Sequence, residues 1–533
     1  MMDDLVLRNV RLIDGTGAPA RTADVGVTGD RITTVGDHDP DRPAARVVEG
    51  RGRVLAPGFI DLHTHSDLTF LADGLGESKL LQGVTTEVTG NCSFAPFPIE
   101  PTHLALHVDH LSTINFDHDP AGLDVHWNDF DGYARALTDA GLGINVAPLA
   151  GHGTLRVAAM GVDDRPATPA ELGRMRRDLA TALEQGAWGM STGLTLVPST
   201  YGSVDEVIAL AAVLAEAGAL YATHGRTAGT GRGPGGIEEA VAVGRATGVS
   251  VQQSHMAIND PARWGSAAEQ LAILDTARTE GVDIFHDVYP YIASSSALTQ
   301  YLPSWLLEGG TAAMRGRAAD PAQRARALTD MHRGWFGGIP WLWDRFMVSA
   351  APDGRGVGQT LAQLAAERGA DPYELTLDLC VEYGHELHVV LFYRVEEDVE
   401  AFLAHPLATV ASDGNAMPMA GHGTSHHPRS YGTFPRVLGR YVRERGTLPL
   451  VDAIRKMTGE PARRLGMQDR GTVVVGNFAD LVLFDPAVVA DRADFGRPPQ
   501  APVGIDVVLV NGTVMVDHGT VSDSRPGSVL RKL

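Results

Sequence analysis

The sequence predicts an α/β protein, a TIM-like (β/α)8 barrel carrying a small β-sandwich formed by both chain ends. Three observations predict it. The chain has 533 residues; a minimal barrel of this kind takes about 250, so there is room for an enlarged barrel and a satellite. The middle of the chain alternates short apolar runs with helical stretches, the pattern of a parallel sheet with crossover helices. The two ends instead alternate short β-like runs with turns rich in Gly and Asp.

At the amino end, the run 5–13 is closed by Asp14-Gly15, and 31–36 follows Gly29-Asp30. At the carboxyl end, 471–475, 480–484 and 507–512 read the same way. Residues 1–56 and 461–533 are therefore assigned to one β-sandwich, and 57–460 to the barrel. Eight apolar runs give the barrel strands: 58–61, 85–89, 143–148, 189–191, 220–223, 249–251, 282–285 and 408–412. Helical stretches such as 170–185 and 204–217 fit between them. The run 389–393 is a ninth strand candidate. The irregular, tryptophan-bearing stretch of about 302–372 reads as an insertion over the barrel mouth.

Composition narrows the function class. Hydrophobic residues make up 44% and charged residues 20%, a globular profile with ample core. The formal charge of −21 repels phosphate backbones, so nucleic acid is not an expected partner. No basic segment followed by an apolar stretch opens the chain, and no run of about eighteen apolar residues occurs, so neither a signal peptide nor a membrane span is expected. The two cysteines, Cys92 and Cys380, cannot make a disulfide framework and suit a reducing, cytoplasmic setting.

Active sites of such barrels lie at the carboxyl ends of the strands, so the polar residues that close each apolar run are the candidates. His63 and His65 close the first run, Cys92 the second, His224 the fifth, His255 the sixth and Asp413 the last. Imidazole, thiolate and carboxylate converging at strand ends suit a borderline-soft ion such as Zn2+. A His-x-His pair alone says little, but period two on a strand puts both rings on one face, as chelation requires. Cys380 lies in a helical stretch and reads as core. His152 reads equally well as structural or functional. The glycine-rich segment 229–236 lacks the lysine and hydroxyl residue of a phosphate loop and reads as a mobile loop beside the metal site.

These positions and their surroundings resemble the amidohydrolase superfamily, and within it the N-acyl-D-amino-acid deacylase (D-aminoacylase) family. The matching stretches are 57–67, from Pro57-Gly58-Phe59-Ile60-Asp61 through His63-Thr64-His65; 83–92, ending Thr89-Gly90-Asn91-Cys92; 149–156; and 287–291. The last two are Ala411-Ser412-Asp413-Gly414 and 427–436, which opens His427-Pro428-Arg429. The resemblance implies one tightly bound zinc held by Cys92, His224 and His255. It also implies a second, weaker site lined by His63, His65 and Asp413, with Cys92 shared. Asp413 would be the catalytic proton shuttle. Arg429 would take the substrate carboxylate, with Tyr201 and Ser296 as hydroxyl contacts. The expected partner is a small N-acyl amino acid.

Two departures from the family shape the substrate expectation. The family often places a lysine where Ala257 stands, and a glutamate where Ala228 follows His224-Gly225-Arg226-Thr227. Their absence leads to an expectation of neutral or apolar amino-acid side chains. One rival is a cyclic-amide hydrolase of the hydantoinase or dihydroorotase kind. It needs a lysine ending the fourth strand, and the chain's three lysines, Lys79, Lys456 and Lys532, all lie elsewhere. The other rival, a metal-free scaffold, predicts eroded ligands, and all six are present.

Overall fold

A computed structural model describes residues 2–38, 43–114, 125–227, 232–420 and 427–532. The apolar runs of the middle segment become parallel strands. The first three, Phe59–Asp61, Val84–Thr89 and Asn145–Pro148, form one sheet. A second, six-stranded sheet runs from Ala150–Gly151 through Gly189–Gly193, Leu220–His224, Ser250–Gln253 and Ile284–Val288 to Ala408–Val410. The third barrel strand is thus split at Leu149 and joins the two sheets. Closure is made by strand ends. The Asp413 N–H donates to the His63 carbonyl at 2.8 Å, and the His65 N–H to the Gly414 carbonyl at 3.0 Å. Eight strands close the ring, so the run at 389–393 is not a ninth.

Local chemistry fixes where the crossover helices begin. Thr168 and Glu171 form a reciprocal cap on Pro169–Glu184, and Ser203 caps Val204–Glu216. Apolar faces of these helices, including Met175, Leu179, Val207 and Leu210, are buried in the main core with Met190 and Val251 of the strands.

The run at 389–393 instead supplies His388–Leu391, the central strand of a separate antiparallel sheet between Ser294–Ala297 and Phe346–Ala350. This layer, termed the cap layer, has its own aromatic core of Tyr301, Trp335, Trp341, Phe346 and Tyr393. Its strands begin before residue 302 and end after 372, so it is wider than the irregular stretch suggests. Its outer strand Ser294–Ala297 is short and polar and does not announce itself in the sequence, while Phe346–Ala350 is a short apolar run within that irregular stretch.

Both chain ends meet in one nine-stranded sheet. Val54–Pro57 pairs with Asp3–Leu12 on one side and with Leu481–Phe484 on the other, which stitches the termini together. Leu5, Leu7, Val25, Leu55, Leu481, Leu483 and Leu509 share one buried cluster. Among the described residues, no helix is long and apolar enough to cross a membrane. Residues 229–231 of the glycine-rich segment lie outside the described residues.

Candidate metal centre

The second barrel strand ends in a tight turn. Gly90 adopts φ +79°, and a Cβ there would stand 2.1 Å from the Leu149 carbonyl oxygen, so only glycine fits. Asn91 Nδ2 donates to the Val88 carbonyl at 2.9 Å, and the Ser93 N–H donates to Ser191 Oγ at 2.9 Å. The turn aims the Cys92 thiol at the ends of neighbouring strands. Cys92, His255 and Asp413 all have positive φ, 52°, 33° and 52°. L-residues avoid that region unless their surroundings impose it, and it recurs at functional sites.

One donor atom from each of His63, Cys92, His255 and Asp413 lies within 4.8 Å of the others. Cys92 Sγ is 3.3 Å from His63 Nε2 and 3.4 Å from His255 Nε2. Asp413 Oδ1 is 3.3 Å from His63 Nε2 and 3.0 Å from His65 Nε2. His224 reaches the group through Nδ1, 3.8 Å from Cys92 Sγ, while Thr195 Oγ1 fixes its other nitrogen at 2.7 Å. All six strand-end candidates therefore gather in one place, four in the tight cluster and two at its edge.

Electrostatics bind the group together. Burial pushes the Cys92 thiol up, but His63 and His255 outweigh it and hold it well below the ordinary thiol range. Burial likewise works against a charged Asp413, and Arg429 followed by His63 and His65 holds it well below the ordinary carboxylate range. Burial opposes charge on His63 too, yet Asp287 and Cys92 outweigh it and raise its pKa well above the usual value. The sulfur and the carboxylate are thus both favoured in their charged forms among the imidazoles. Sulfur, nitrogen and carboxylate donors at this spacing fit zinc.

Three contributors have no part in the sequence-level site. Asp287 lies at the carboxyl end of the seventh strand, one residue before its last, with Oδ2 3.3 Å from His63 Nδ1, and its Oδ1 accepts from the His255 N–H at 2.8 Å. Gln252 Nε2 donates to the same carboxylate at 2.6 Å. The strand-end rule could have found Asp287, because it follows the apolar run 282–285 within two residues, as the other candidates follow theirs. Lys79 is fully buried and bridges Asp61, Glu87 and Ser412 at 2.9, 2.8 and 2.7 Å. It ties the first, second and last strands together directly beside Asp413.

Above the cluster opens a cavity of about 500 Å3, lined by His65, Cys92, His224, His255, Asp413, Tyr289, Ser296 and Arg429 among others. Arg429 Nη1 donates to Asp413 Oδ2 at 2.6 Å. Ser296 Oγ lies 2.5 Å from the Tyr301 hydroxyl. Tyr201 does not line this cavity. It is buried against Val157 and Val162, and its hydroxyl donates to the Ser304 carbonyl at 2.6 Å. The short helical turn at Ser199–Tyr201 thus places the side chain outside the residues that line the cavity, and the structure does not bring this expected substrate contact to the metal cluster. His152 is held between Ser199 Oγ and Glu206 Oε1 at 2.7 and 2.9 Å, a structural role. Cys380 is buried in the apolar core of the cap layer.

A family model described as "Amidohydrolase family" matches residues 46–330 and 353–516. The chain is 38% identical over 531 residues to an N-acyl-D-glutamate deacylase of Alcaligenes xylosoxydans xylosoxydans, covering 99% of this chain and 96% of that one. The chain belongs to the amidohydrolase family, in its D-aminoacylase branch. A D-aminoacylase from the same organism is 35% identical, over 99% of this chain and 98% of its own. A crystal structure of N-acyl-D-glutamate deacylase from Bordetella bronchiseptica, complexed with zinc and a phosphonate mimic of the tetrahedral intermediate, superposes with a TM-score of 0.81. It is 34% identical, with 100% of both chains covered.

In this amidohydrolase a further arginine beside the cavity is already paired. Arg226 is buried and pairs through Nε with Glu239, at 3.0 and 2.9 Å to its two oxygens. The position of Asp287 yields a first prediction. Asp287→Asn should weaken zinc binding about 10- to 100-fold, because it removes the carboxylate that orients His63 and His255. Chelator competition measures this, and an unchanged affinity would deny Asp287 that role.

Proposed function

We propose that the protein is a zinc-dependent hydrolase of linear N-acyl-D-amino acids, releasing a carboxylate and a free D-amino acid. The observation that carries the proposal is the convergence of His63, Cys92, His255 and Asp413 donor atoms within 4.8 Å at the carboxyl ends of the barrel strands. Cys92, His224 and His255 would hold the tight zinc. His63, His65 and Asp413 would line a weaker second site, sharing Cys92. Bound zinc supplies a Lewis acid for the acyl carbonyl and acidifies water.

The protein's own groups supply the rest. Asp413, held by His65 and Arg429, accepts the proton of the attacking water and delivers it to the leaving amine nitrogen, which departs only when protonated. Arg429 lies within 2.6 Å of that shuttle, so it can reach a carboxylate one carbon from the scissile nitrogen. Its planar fork matches a carboxylate in two parallel hydrogen bonds. Ser296 adds a hydroxyl on the cavity wall.

In this reading 57–460 is the catalytic unit, and 1–56 with 461–533 is the companion β domain. Both cysteines are unpaired, which suits a cytoplasmic protein. The cyclic-amide alternative lacks its lysine, since Gly189–Gly193 ends without one. The test is amine release from the D and L enantiomers of N-acetylleucine and N-acetylglutamate by zinc-loaded protein. Release from D forms alone is expected. Equal turnover of L forms would remove the stereochemical part, and hydrolysis of hydantoins alone would replace the reading.

A further inference from the structure

The cavity holds a second arginine that the proposed mechanism leaves unused. Arg394 follows the central strand of the cap layer, His388–Leu391, and lines the cavity with Arg429. Its residue is only 8% exposed. Its Nε is buried without an acceptor. Among the described residues, no carboxylate pairs with it, whereas Arg429 is paired to Asp413 and Arg226 to Glu239.

An unpaired guanidinium taken out of water is costly, commonly by several kcal/mol. Arg394 does lie over the Tyr289 ring, 4.3 Å from its centroid. A ring face attracts the cation weakly and satisfies none of its five N–H donors. The site is therefore built for an anion that arrives with the ligand. Arg429 lies over the same ring at 5.0 Å, so both guanidinium groups line the cavity beside Tyr289.

We infer that Arg394 binds the side-chain carboxylate of the substrate, which makes N-acyl derivatives of acidic D-amino acids the preferred class. Two arginines beside one ring in the same cavity fit a dicarboxylate. Arg429, beside the proton shuttle, takes the carboxylate nearest the scissile bond. Arg394, which makes no hydrogen bond or ion pair with the metal cluster among the described residues, takes the other. The inference rests on the deacylase reading and replaces the expectation of a neutral or apolar side chain. That expectation weighed charges adjacent in sequence to His224 and His255, and Arg394 enters the cavity from a distant layer.

The test compares kcat/KM of zinc-loaded wild type for N-acetyl-D-glutamate, N-acetyl-D-aspartate, N-acetyl-D-leucine and N-acetyl-D-glutamine, the last a neutral isostere. A preference of about 100-fold for an acidic substrate over D-glutamine is expected, the scale of a desolvated charge pair. Arg394→Met should collapse that ratio to within a few-fold of one, and Arg394→Lys should restore part of it. Binding of the product D-glutamate against D-glutamine, by calorimetry, reads the same discrimination without turnover. If D-leucine and D-glutamine derivatives are cleaved as well as the acidic ones, the inference fails and the deacylase reading stands. If no N-acyl-D-amino acid is cleaved, both fail. An acidic preference that survives in Arg394→Met assigns the recognition elsewhere and overturns the role of Arg394.

Discussion

Asp413→Asn is expected to lower kcat about 1,000-fold, the middle of the range for removing a general acid–base group. The substitution keeps the shape of the side chain. An amide oxygen can still accept from Arg429 Nη1, which now donates at 2.6 Å. What is lost is a group that takes a proton from water and returns it to the amine. Asp413 lies outside the proposed tight set of Cys92, His224 and His255, so the variant should retain about one zinc per chain. Metal content and kcat measured together separate the roles. A kcat within tenfold of wild type would exclude Asp413 as the shuttle. Loss of zinc in parallel with kcat would make it chiefly a ligand.

The second large effect is expected at Cys92. Cys92→Ala should weaken zinc binding about 100- to 1,000-fold, one ligand's share of the affinity of a four-ligand zinc site. The reason is geometric and electrostatic together. Cys92 Sγ stands 3.3–3.8 Å from nitrogens of His63, His224 and His255, so it is the atom that both proposed sites share. Its charge also helps hold His63 well above the ordinary imidazole range, after Asp287. Alanine suffers the φ of 52° no less than cysteine does, so the backbone contribution should nearly cancel. Chelator competition gives the affinity, and circular dichroism checks that the barrel is intact. A folded variant with zinc affinity within fivefold of wild type would show that the thiolate is not a principal ligand.

The metal centre was legible because its residues end strands. A parallel barrel brings the carboxyl ends of its strands to one mouth, so His63, His65, Cys92, His224, His255 and Asp413 could be grouped without knowing a single contact. Asp287 obeys the same rule and was available to it. The cap layer obeys no such rule. Ser294–Ala297 is short and polar, and its pairing partner lies about a hundred residues on, at His388–Leu391. Nothing local in the run containing Arg394 shows which way that residue faces. Tyr201 marks the opposite limit: a plausible motif placed it near substrate, and a 3-10 turn directs its hydroxyl to Ser304 instead.

By itself the sequence determined the α/β alternation, the joining of both ends into a β domain, the placing of six candidate donors at strand ends and the lack of a bridging lysine. Each of these follows from residue type and short-range period, which the chain carries locally. Only the tertiary structure decided that Asp287 contacts both His63 and His255, that Glu239 pairs with Arg226, and that Arg394 reaches the cavity with no carboxylate partner among the described residues. Those are contacts between segments far apart in the chain, and they are set by packing of whole layers rather than by any local preference.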